Sequence, residues 1–122
     1  MKKNIHIKEY KRKGKVNMSL LPLGSVIKLK KAKDDVWVMV TDKYVKSENL
    51  QRFVEYSGVV YPDGQIEDIE IYFNSEDIQQ VFFEGYRDLN EVDFFNKLKK
   101  EYEDNNIQKI SLNELEGVIN QW

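Results

Sequence analysis

Residues 53–64 read FVEYSGVVYPDG, and the fold turns on how this stretch is taken. Phe53 through Tyr61 form the longest run of β-branched and aromatic residues in the chain, a composition that suits a strand. Gly58 interrupts the run without ending it, which predicts a bulge or a sharp bend. Tyr61-Pro62-Asp63-Gly64 then closes it. Proline presets φ, Asp63 can hydrogen-bond its own backbone, and Gly64 accepts positive φ.

Towards the N-terminus, Ser25-Val26-Ile27-Lys28-Leu29-Lys30 sets Ile27 and Leu29 on one side and lysines on the other, a half-buried strand. Lys33-Asp34-Asp35 reads as a turn, and Val36-Trp37-Val38-Met39-Val40 is apolar on both faces, as a central strand would be. Asp42 to Leu50, with Tyr44 inside it, reads as a polar loop. Towards the C-terminus, Ile69, Ile71 and Phe73 alternate with Glu70 and Tyr72. Asn74 or Ser75 caps a short helical turn through Gln79, and Val81 to Tyr86 returns to strand. The period then changes. Val92, Phe95, Leu98 and Tyr102 recur at helical spacing behind an Asp88 or Asn90 cap, and Asn105-Asn106 ends that helix. Ser111-Leu112-Asn113-Glu114 is a capping-box pattern, followed by Leu115, Val118, Ile119 and Trp122 on one helical face. The expected fold class is α+β: a single small domain, a curved antiparallel sheet of about five strands, then two C-terminal helices packed on one side.

Composition agrees with one domain. The chain has 122 residues, 41% hydrophobic and 33% charged, with no apolar run near the roughly 20 residues of a membrane-spanning helix. Leu20-Leu21-Pro22-Leu23-Gly24 is too short and too interrupted for an anchor or a signal-peptide core, and it lacks the glycine spacing of a phosphate loop. It reads as the lead-in to the first strand. Residues 1–17 carry seven Lys/Arg against Glu9, a net +6, whereas the remainder carries 12 basic and 20 acidic residues. The expected division is a basic, flexible tail over 1–17 and a domain over 18–122. Within 63–93 ten carboxylates face Arg87 alone.

The chain offers little material for catalysis. His6 is the one histidine and cysteine is absent, so zinc sites, disulfides and Ser/His or Cys/His catalysis lack their parts. Glu67, Asp68, Glu70, Glu76 and Asp77 lack EF-hand spacing and read as a solvated acidic face. The expectation is a cytoplasmic protein that is not an enzyme, has no cofactor or metal, and contacts neither nucleic acid nor membrane. What the chain does offer is tyrosine, a residue whose apolar body and polar tip suit protein interfaces. Tyr44, Tyr56, Tyr61, Tyr72 and Tyr86 lie near turns or strand ends and are the candidate partner-binding residues; the alternative is that they complete a small core.

Four segments in order carry a family resemblance: Leu21 to Lys30, Glu55 to Gly64, Tyr72 to Ile78, and Val81 to Tyr86. Together they resemble an uncharacterised family of small Firmicutes proteins encoded in type VII secretion loci beside LXG toxins. The resemblance covers about residues 20 to 100. It implies a cytosolic accessory protein, a monomer or weak dimer, that binds an LXG-type toxin as export chaperone or targeting factor. An immunity protein that inhibits the toxin's catalytic domain is the alternative, motivated by the acidic 63–93 region. The family has no catalytic signature to carry over.

Overall fold

The computed structural model describes residues 20–122; the basic segment 1–17, with His6, lies outside the described residues. Five strands come first: β1 (Val26–Leu29), β2 (Trp37–Ser47), β3 (Arg52–Tyr61), β4 (Ile71–Phe73) and β5 (Ile78–Phe83). Helix α1 (Leu89–Asp104), a two-residue strand β6 (Gln108–Lys109) and a short helix α2 (Leu112–Glu116) follow. The sheet is open, in the order β4-β3-β2-β1-β5, with every neighbouring pair antiparallel and β6 added to β3 in parallel. This is the α+β arrangement that the alternation of strand and helix periods calls for. No helix of the described residues is long and apolar enough to cross a membrane.

The β2–β3 ribbon is the spine, pairing from Trp37↔Tyr61 to Ser47↔Arg52. Its one irregularity falls where Val40 pairs Gly58 and Asp42 pairs Ser57, leaving Thr41 as the extra residue. The bulge expected at Gly58 therefore lies in the partner strand. Gly58 permits the close approach instead: a Cβ there would lie 2.5 Å from the Met39 carbonyl oxygen.

Two local readings are corrected. Asp42 to Ser47 is strand, not loop, because its polar residues are taken up by the fold: Lys43 pairs with Glu91 of α1, and the Tyr44 ring packs among Phe53, Phe95 and Tyr102. Lys28, read as solvent-facing, is buried. Its ammonium donates to the Leu29 and Ala32 carbonyls and to Gln79 Oε1, at 3.0–3.1 Å, tying the β1–β2 turn to β5.

Residues 20–25 behave as a lead-in. Pro22 carbonyl accepts from Ser25 Oγ at 2.7 Å, Gly24 N donates to Val40 carbonyl at 2.8 Å, and Leu21 N donates to the Tyr56 hydroxyl at 2.8 Å. The first cluster of the core joins Leu21 to Ile27, Val38, Val40, Tyr56, Phe73 and Val81. A second places α1 on the ribbon through Tyr44, Tyr102, Phe95, Leu98 and Phe53. A third joins Val54 and Val45 to Ile110, Leu112, Leu115, Val118 and Trp122.

Both helix caps form as the residue types demand. Asp88 accepts from Glu91 N at 2.9 Å, and Ser111 and Glu114 make the reciprocal capping box. Asn74 does more than cap the 3₁₀ turn Ser75–Asp77. The outer edge of β3 pairs with β4 at Tyr56 to Gly58 and with β6 at Arg52 and Phe53. Between these two partners stands the buried Asn74 side chain, accepting from Glu55 N and donating to Ile110 carbonyl, each at 2.9 Å. One amide side chain thus splices two strands onto one edge.

Candidate protein-binding surfaces

The five candidate tyrosines separate into an interior pair and a surface set. Tyr56 is 2% exposed, stacks on Phe73 with centroids 5.0 Å apart, and has its phenol pushed up by burial. Tyr44 is also buried, and burial pushes its phenol up to about 12, with Glu55 and Glu103 adding to the shift. These two complete the core. Tyr72 is half-buried, packs against Trp122 at 5.8 Å, and donates to Glu70 at 3.3 Å. Tyr61 is exposed and stacks on Trp37 at 6.3 Å, and Tyr86 is 79% exposed. The structure does not gather the five into one surface.

Tyr44 has a further peculiarity. Its φ is 54°, the left-handed region, which costs an aromatic residue roughly 1–2 kcal/mol. Its ring is held by Phe53, Phe95 and Tyr102, and its carbonyl accepts the Tyr102 hydroxyl at 2.6 Å, so α1 over-determines the conformation.

Half of the carboxylates of the acidic region, those from Glu76 to Glu91, are spent on structure. Glu91 pairs with the buried Lys43 and lies 3.6 Å from Arg87, which also meets Glu84 at 3.1 Å and the Leu20 carbonyl at 3.1 Å. Desolvation lowers Lys43 below the usual lysine range, and the Glu91 carboxylate beside it opposes that shift. Glu76 pairs with Lys109 at 3.0 Å, Asp77 bonds Asn74 N at 2.8 Å, and Asp88 caps α1. Among the described residues no cluster of three or more histidines, cysteines or carboxylates could hold a metal ion. Asp63, Glu67, Asp68 and Glu70 remain exposed, on the loop that leads into β4.

Two concavities interrupt the surface. A cleft of about 290 Å³ lies between β2, β3 and α1, lined in part by Tyr44, Phe53, Glu55, Lys99, Tyr102 and Glu103. A second, of about 260 Å³, lies between β4 and α2, lined by Glu70, Tyr72, Leu112, Leu115, Glu116 and Ile119. Large apolar side chains stand on the exterior as well: Leu89 is 79% and Phe94 62% exposed on α1, with Ile66, Ile69 and Ile119 near half. Sequence reasoning missed these apolar residues because it ranked surfaces by tyrosine; the isoleucines inside the acidic 63–70 stretch were the available signal.

A family model, the domain of unknown function DUF4176, matches residues 20–94. The chain belongs to the DUF4176 family. The match takes in all of β1 to β5 and the start of α1. β6 and α2 lie beyond the matched residues. Neither a curated protein nor a solved structure matches the chain.

Proposed function

We propose that this DUF4176 protein is a non-enzymatic cytosolic accessory protein that binds a cognate LXG-type toxin as export chaperone or targeting factor. The observation that carries the reading is the exposure of large apolar side chains, Leu89 and Phe94 on α1 and Ile119 in the groove between β4 and α2, on a domain whose carboxylates from Glu76 to Glu91 are committed to caps and ion pairs. Apolar surface flanked by charge supports protein binding better than it supports catalysis. The resemblance of the four ordered segments to a family encoded beside LXG toxins supplies the kind of partner. Reversible release at the secretion machinery requires moderate affinity, which clefts of a few hundred Å³ and a small sheet suit. Co-expression with the LXG protein encoded next to it should yield a complex that survives affinity purification; recovery of the two proteins apart would sink the reading.

The immunity reading draws on the acidic region as a nucleic-acid mimic. Five of the ten carboxylates in 63–93 are held in caps or pairs, which leaves the mimic the four of the loop Asp63 to Glu70 and Asp93 on α1. Rescue of cells expressing the toxin domain alone would favour immunity. Unchanged killing together with restored secretion favours the chaperone role.

A further inference from the structure

The groove between β4 and α2 combines a shape and a charge that specify an occupant. Tyr72, Leu112, Leu115 and Ile119 form its apolar wall, and Glu70 and Glu116 stand among them. Its lining has two carboxylates and no lysine or arginine, and the stretches of chain that contain the lining residues, 61–72 and 110–122, add four more carboxylates and no cation: Asp63, Glu67, Asp68 and Glu114 join Glu70 and Glu116. Among the described residues one of these six is matched by a cation, Glu114 by Arg52 at 3.3 Å. β4 is also the end strand of the sheet, and no described strand pairs with its outer side. Ile71 to Phe73 thus offers unpaired backbone groups directly beside an apolar trough.

These features fit a strand better than a helix. An extended segment added to β4 satisfies the edge and sends alternate side chains towards the groove, as Glu70 and Tyr72 already do from β4's side. We propose that the groove takes an extended segment of a partner protein whose groove-facing residues are apolar and bracketed by lysine or arginine. The apolar residues cover Leu112, Leu115 and Ile119, and the flanking cations meet Glu70 and Glu116. The inference rests on the reading of this chain as a partner-binding protein and deepens it by locating the surface and the chemistry of what binds there.

The probe is a blocked peptide, Lys-Ser-Val-Ser-Ile-Ser-Val-Ser-Lys, titrated into the full chain by two-dimensional NMR, with the same peptide carrying glutamate for lysine as control. Shifts are expected at Glu70, Tyr72, Leu112, Leu115, Glu116 and Ile119, with affinity about tenfold weaker for the control and for the Glu70→Lys, Glu116→Lys double variant. Both glutamates are exposed, so the variant's own spectrum reports that the fold persists. No binding, shifts centred elsewhere, or equal affinity for the two peptides would overturn the proposal. Co-purification with the LXG protein separates the two levels. Equal recovery by wild type and double variant removes the groove and leaves the accessory role; a groove that binds the peptide while no LXG protein co-purifies does the reverse.

Discussion

Asn74 joins two strands through one side chain, since its amide satisfies Glu55 N and the carbonyl of Ile110, just past the ends of β4 and β6. Removing it leaves two backbone groups without partners in a buried site. Asn74→Ala should cost about 3 kcal/mol in urea unfolding, and a loss under about 0.5 kcal/mol would show that the splice contributes little. Lys43 poses a different problem, because a buried ammonium is tolerable only beside its counter-charge. Glu91→Ala is expected to destabilise by about 3 kcal/mol, whereas Lys43→Met with Glu91→Leu should fall near wild type, a contrast measured as a double-mutant cycle. At this scale the sequence was legible wherever a residue's role is local: Asp88 and the Ser111–Glu114 box sit as their types and spacing require. It was opaque for Lys28, Lys43 and Tyr44, whose burial depends on partners 48 to 58 positions away.

Elements follow the same rule. β3 and α1 show their periods plainly, because apolar residues mark most of their buried faces, whereas β5 begins at Ile78, inside the stretch read as a helical turn, and ends at Phe83 rather than Tyr86. The second half of β2 does not, since TDKYVK has no apolar alternation and stays in the sheet by cross-strand pairing with Phe53 to Ser57 and by packing under α1. β6 is equally silent in sequence. It exists because β3's edge needs a partner below β4, and two residues suffice. The ribbon's close approach at Gly58 makes a direct test: Gly58→Ala forces a methyl against Met39 carbonyl and Val38, and should lower stability by about 1–3 kcal/mol in thermal unfolding. A variant as stable as wild type would mean that β2 can move away freely.

For the whole molecule, the tyrosines set the alkaline limit. Burial raises the phenols of Tyr44, to about 12, and of Tyr56, while in the unfolded chain each ionises near 10. Above pH of about 10 the unfolded chain therefore binds fewer protons than the native one, so stability must fall as pH rises. Urea midpoints should drop steadily from about pH 10 upward, with phenolate absorbance from Tyr44 and Tyr56 lagging that of the exposed tyrosines in the folded chain; titration of all seven tyrosines together near 10 in a still-folded chain would contradict this assignment. The fold class was legible because strand and helix periods are written in apolar residues. The proposed binding surface was not, because an interface consists of residues exposed against expectation, and exposure is a property of the assembled chain. The accessory role is tested most directly by secretion. On the proposed role, cells lacking this chain should make its LXG-type client but retain it in the cytosol, and export it to the medium when the chain is supplied again. Normal export of the toxin without it would contradict the account.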